Sequence, residues 1–318
     1  MEHPAPLAGH PAGTGSGVGV QPGERAGLRR PVQPGAQGPT VIPAGDLLGW
    51  GLPRLRDLPW RRTRDPWAVL VSEVMLQQTQ VPRVIPKWQA FMARFPTTAA
   101  CAAAPLGDVL RLWQGLGYPR RARNLHATAT QVEADGGFPR TLEGLLALPG
   151  VGQYTARAVL AFAFEADAAV VDTNIARVHA RVAGRQLTPG EVQRAADASL
   201  PTGRAWEWNQ SLMDLGATVC RPRDPDCPHC PLRSRCAWHG EGPDPAPGSA
   251  GVSRPQGRFD GSDRQARGRL LRALTTGPVR RTDLATVMAR PQERAGALAD
   301  ALVAEGLCVA EGDLLRLP

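Results

Sequence analysis

Four cysteines, Cys220, Cys227, Cys230 and Cys236, fall in one short stretch with the spacing C-x6-C-x2-C-x5-C. Thiolates at this density repel one another and call for a soft metal. Structural zinc sites usually arrive as two close CxxC-like pairs, and only one close pair exists here. A [4Fe–4S] cluster is larger and can be embraced by uneven spacings. The pattern therefore points to a [4Fe–4S] centre, with zinc as the alternative. Cys101 and Cys308 stand apart and read as buried small residues.

A second set of residues suits acid–base work. Glu73 sits between apolar neighbours in Val71-Ser72-Glu73-Val74-Met75-Leu76, a stretch with helical spacing. A carboxyl in apolar surroundings titrates high and serves as a general acid near neutrality. Asp172 lies in Val170-Val171-Asp172-Thr173-Asn174 at a helix entry, where an N-cap is the plain reading. Leu148-Pro149-Gly150-Val151-Gly152 joins two apolar helices. Its glycines permit a tight turn, and the next helix opens with unpaired N–H groups that favour a phosphate.

These residues need a scaffold, and the pattern supplies an all-α one. Asp65-Pro66-Trp67 starts a helix, with Asp as cap and Pro in the first turn. Helical runs follow at 86–95, 108–116, 120–134, 141–148, 153–164, 173–182, 190–200 and 205–217, and period-2 alternation is nearly absent. Residues 46–237 thus form a helical core. Residues 1–45 hold ten Gly and eight Pro and read as a disordered tail. Residues 238–261 read as a Pro/Gly linker, and 262–318 as three helices and a hairpin, a winged-helix-like module.

The 318 residues carry a net charge of +8, which favours a polyanionic partner. Of the 37 basic residues only Lys87 is lysine. No run of 18 apolar residues and no signal-peptide pattern occurs, which argues against a membrane protein and for the cytoplasm.

The cysteine spacing resembles the iron–sulfur loop of the endonuclease III and adenine glycosylase superfamily, where Arg221, Arg223, Arg233 and Arg235 would lie along DNA. Leu148, Gly150, Val151 and Gly152 resemble its helix-hairpin-helix phosphate site, and Asp172 its catalytic aspartate. The string S-E-V-M-L-Q-Q-T-Q around Glu73 is similar to the signature of the MutY family, the adenine DNA glycosylases. The resemblance implies an all-α helix-hairpin-helix glycosylase fold around a [4Fe–4S] cluster. It also implies a monomer that removes adenine opposite 8-oxoguanine or guanine in double-stranded DNA, near the bacterial nucleoid. Leu58, Trp60 and Arg61 would line the adenine pocket, with Gln210 closing it. Gln78, Leu116 and Tyr118 would wedge into the duplex. Glu73 would be the acid, Asp172 would stabilise the sugar cation, and Tyr154 would orient one of them. Tyr154 stands where lyases of the superfamily carry a lysine, which implies hydrolysis without strand cutting. The alternatives are an endonuclease III-like pyrimidine glycosylase/AP lyase and a non-catalytic iron–sulfur DNA-binding protein. The chain is too short for the family's usual nucleotide-pyrophosphatase-like C-terminal domain. The 262–318 module is left as a DNA contact or a protein-docking element.

Overall fold

The computed structural model describes residues 40–252 and 257–318. Positions 1–39 of the expected tail and 253–256 of the expected linker lie outside the described residues. The core is helical: α1 (Ala44–Gly51), α2 (Pro66–Leu76), α3 (Val81–Arg94), α4 (Thr98–Ala102), α5 (Leu106–Trp113), α6 (Arg120–Ala134), α7 (Leu142–Leu146), α8 (Gln153–Ala163), α9 (Thr173–Ala183), α10 (Pro189–Ser199) and α11 (Ala205–Thr218). Helices α12 (Asp263–Thr276), α13 (Leu284–Met288) and α14 (Gln292–Ala304) follow, with strands β1 (Val279–Arg280), β2 (Val309–Glu311) and β3 (Leu314–Arg316). The strands form an antiparallel sheet in the order β1-β3-β2. The two-residue β1 is too short to leave a periodic signal in the sequence. No helix among the described residues is long and apolar enough to cross a membrane.

Helix α2 is the hub. Asp65 caps it through the Trp67 N–H at 3.0 Å, and every residue from Trp67 to Met75 is buried. A helix apolar on all sides belongs inside a protein. Its Trp67 packs against Phe91, which also meets Phe95 and Trp113, all at tilted or edge-on angles. The Trp67 indole donates to Phe95 O at 2.9 Å, so the largest buried side chain leaves no polar atom stranded. A second cluster joins Leu47 and Leu48 of α1 to Ile175 and Val178 of α9 and Trp208 of α11, with Cys220, Cys230 and Cys236 packed against it.

Three expected boundaries need correction. The ordered core begins before residue 46, because Ile42 is 1% exposed and its N–H donates to Ser199 Oγ. Helix α3 starts at Val81 and carries Pro86 inside it, not at its beginning. Residues 238–252 are not a free linker. Ala246 and Ser249 are buried, and Asp244 is paired with Arg181. A Pro/Gly-rich composition predicts little burial, but here a buried arginine holds the segment down.

The C-terminal module shares the core's packing. Leu270, Leu271 and Leu274 of α12 belong to the same apolar cluster as α2 and α5. Glu305, at the end of α14, is paired with Arg120 of α6 at 2.8 Å and Arg267 of α12 at 2.5 Å. Its carbonyl accepts from Arg123.

Candidate active site

Glu73 is 4% exposed. Burial in α2 pushes its carboxyl up to about 7, and the nearby Asp172 adds to the rise. The hydrogen bond from Tyr154 and the Arg61 guanidinium oppose it. Tyr154 Oη donates to Glu73 Oε2 at 2.6 Å. Burial also raises the Tyr154 phenol well above its ordinary value, which keeps it a donor. Asp172 does cap α9. Its Oδ1 accepts from the Ile175 N–H at 2.7 Å and its Oδ2 from Asn174 Nδ2 at 2.9 Å. Burial raises its pKa against these hydrogen bonds. The expected trio Glu73, Tyr154 and Asp172 thus converges from α2, α8 and the start of α9.

The hairpin between α7 and α8 positions Tyr154. Gly150 has φ +75, and a Cβ there would sit 2.5 Å from Asn124 Nδ2, so only glycine fits. Leu148 and Val151 are buried anchors, whereas Gly150 and Gly152 face outward. Their outward backbone leads directly into the first turn of α8, where N–H groups lack helical partners.

The residues expected to line the adenine pocket, Leu58, Trp60, Arg61 and Gln210, are all buried. Trp60 meets Trp88 edge-on at 6.1 Å. Gln210 is 5% exposed, which removes its reading as a surface amide. Arg61 is also paired with Asp214 through two 2.8 Å contacts. Arg56 joins the same carboxylate at 2.7 Å. These contacts occupy both Arg61 terminal nitrogens. Only its buried Nε lacks a partner among the described residues. Removing one member of a buried ion pair leaves an uncompensated charge, at about 3–5 kcal/mol. Asp214→Ala is therefore expected to lower unfolding free energy by that order in a denaturant titration. An unchanged midpoint would contradict the pairing.

Two of the three residues expected to wedge into the duplex lie on strained backbone. Gln78 and Tyr118 have φ of +58 and +48, and Tyr118 is 40% exposed beside buried Leu116. Each such residue costs about 1–3 kcal/mol and persists only where its surroundings over-determine it. Arg121 does so here. It donates to Val74 O at 2.6 Å and Gln77 O at 2.7 Å, at the end of α2. It also donates to Leu116 O at 3.0 Å and Gly117 O at 3.1 Å in the wedge loop. One guanidinium ties the helix of Glu73 to the loop of Tyr118.

The four cysteines line one small cavity after α11, closed by Arg181, Trp238 and His239. Arg181 Nη1 donates to Cys220 Sγ and the His239 N–H to Cys236 Sγ, both at 3.3 Å. A Cβ on Gly240 would stand 3.1 Å from Cys227 Sγ. Among the described residues no three His, Cys, Asp or Glu are placed to hold a single metal ion. Sulfurs ringing a cavity, with N–H donors aimed at two of them, suit a larger thiolate-held group. Arg221, Arg223, Arg233 and Arg235 are all exposed on this loop.

Comparison with known proteins shows the family. The profile of the HhH-GPD superfamily base excision DNA repair protein matches residues 71–201. The adenine DNA glycosylase of Mycolicibacterium smegmatis is 46% identical over 272 residues, covering 82% of this chain and 91% of that one. The chain belongs to the adenine DNA glycosylase family. Among solved structures, a thermostable thymine-DNA glycosylase superposes with a TM-score of 0.57 at 30% identity, covering 61% of this chain and 94% of that one. Endonuclease III, trapped in a covalent intermediate with DNA, gives 0.54 at 26% identity, covering 61% and 92%. The adenine DNA glycosylase family therefore shares its helical core with other DNA glycosylases.

Within that family frame, Arg121, Asp214 and Glu305 are the structural residues that sequence reasoning misses. Each has at least one partner far away in sequence. An arginine among so many arginines carries no contrast of its own.

Proposed function

We propose that the protein is a monofunctional adenine DNA glycosylase of base excision repair, acting on adenine opposite 8-oxoguanine or guanine in duplex DNA. The observation that carries this reading is the buried Glu73 donor–acceptor pair with Tyr154, facing Asp172. The adenine is flipped into the pocket, because its glycosidic bond is out of reach in the stack. Tyr154 donates to Oε2, which leaves Glu73 Oε1 to carry the proton to adenine N7. The C1′–N9 bond then breaks, and adenine departs neutral. Asp172, held by the Ile175 N–H and Asn174, stabilises the oxocarbenium-like sugar. Glu73, now ionised, takes the proton of the attacking water. Two carboxylates in different environments divide the work as in other glycoside hydrolyses.

Cys220, Cys227, Cys230 and Cys236 would hold a [4Fe–4S] cluster, which supplies structure and a DNA-facing loop and not the bond-breaking chemistry. Leu148, Gly150, Val151 and Gly152 would seat a phosphate at the start of α8. The protein would act as a monomer in the bacterial cytoplasm. The bacterial source of the Mycolicibacterium smegmatis relative and the DNA-bound structure of endonuclease III support this reading.

Single-turnover release from duplexes carrying A opposite 8-oxoguanine, G, C and T tests the reading. Release from the first two is expected. No release from any of the four, with the iron content intact, would overturn it. Because Tyr154 replaces an amine nucleophile, the product should be an uncut abasic strand until alkali is added. High-yield trapping of a borohydride-stable adduct would instead support a lyase.

A further inference from the structure

A cleft of about 970 Å³ lies between the loop of Leu116 and Tyr118 and α12 of the C-terminal module. None of Glu73, Tyr154, Asp172, Trp60 or Arg61 lines it. Its walls carry six arginines, Arg83, Arg120, Arg264, Arg267, Arg269 and Arg272, against one acid, Glu305. Glu305 neutralises part of Arg120 and Arg267 and fixes the module to α6. Arg83, Arg269 and Arg272 are exposed, and no salt bridge among the described residues includes them. They leave a concentrated positive field. Such a concave, like-charged wall has no internal use and attracts a polyanion.

We propose that this cleft grips the phosphate backbone of the DNA strand that pairs with the adenine strand. This choice of strand rests on the adenine reading given above. The extruded nucleotide takes its own strand toward Glu73. Tyr118 and Gln78 line the cleft from the wedge, so the backbone beyond the wedge belongs to the complementary strand. From Arg264 to Arg272 the helix runs eight residues, about 12 Å, which measured along a duplex axis is about three base steps at 3.4 Å each. Between them Gly268 presents no side chain, and nothing lies within 4 Å of where its Cβ would be. A sugar-phosphate chain can therefore approach the α12 backbone closely. Arg264 also donates to the Tyr118 hydroxyl at 3.3 Å, so the module touches the wedge itself. A short module thereby extends the DNA footprint that the core begins.

The test uses the full-length protein and a duplex with a non-cleavable adenine analogue opposite 8-oxoguanine. Binding is followed against salt for the wild type and for R269A/R272A. Each phosphate contact contributes about 0.9 to the slope of log K against log salt. The double variant should lose about 2 units of slope. Phosphate-ethylation interference should vanish on the complementary strand and persist on the adenine strand. An unchanged slope, or loss confined to the adenine strand, overturns the proposal. Both readouts need no turnover. A protein inactive on every mispair, yet showing the slope loss, would sink the adenine reading while keeping a DNA-backbone cleft.

Discussion

Glu73→Gln is expected to lower single-turnover adenine release by about 10²–10⁴-fold, the range for a general acid, while duplex binding persists. The amide still accepts from Tyr154 and fills the same volume, so loss of the proton is the dominant change. The wild-type rate should carry the same signature. Glu73 acts protonated and titrates near 7 because α2 buries it. Release should therefore fall as pH rises above about 7. The fall at low pH belongs to Asp172, which must be ionised and whose pKa burial also raises. Stability should fall with rising pH as well. For a carboxyl raised from 4.5 to about 7, the fold carries no ionisation penalty below the unfolded value. That penalty builds between the two values and is complete above the folded one. The shift corresponds to roughly 3 kcal/mol. Glu73→Gln should therefore hold or raise the thermal midpoint at pH 8 while activity collapses. A variant with near-normal release, or one unfolded at pH 8, would refute the assignment.

Asp172→Asn is expected to lower release by about 10²–10³-fold, the size found when one electrostatic stabiliser of a transition state is removed. Asp172 is a test of two roles at once, because it is the cap of α9 as well as a carboxylate facing Glu73. Asn caps as well as Asp, and only substitution by Ala loses the cap, at about 1 kcal/mol. The Asn variant should thus keep its melting temperature and lose its rate, and the Ala variant should lose both. Equal rates for Asn and wild type would leave Asp172 as a cap and nothing more. Removing the Asp172 charge should also lower the Glu73 titration point, since the Asp172 carboxylate pushes it upward. The alkaline limb of the residual activity should then move to lower pH.

Local chemistry makes the trio legible in the sequence itself. Glu73 stands out because a lone carboxylate interrupts an apolar helix. Asp172 stands out because it opens one. The hairpin announces itself by its glycines, and Gly150 proves to have no room for a side chain. What the sequence hides is long-range. Asp214 holds the Arg61 guanidinium from 153 residues away. Asp244 anchors to Arg181 a stretch whose proline and glycine content reads as a tether. Neither pairing leaves a periodic trace, since an ion pair needs only that two side chains end up close together. The cleft beside α12 is equally invisible, because its arginines come from α3, α6 and α12 and become neighbours only on folding.

The enclosure of α2 also bears on timing. With 4% of its surface reachable, Glu73 has little direct contact with solvent, and an extruded base seated against it would remove what remains. The proton used on a given adenine is then cargo taken aboard before docking. The enzyme arrives either loaded or empty, and the acidity of the medium is sampled at the moment of encounter.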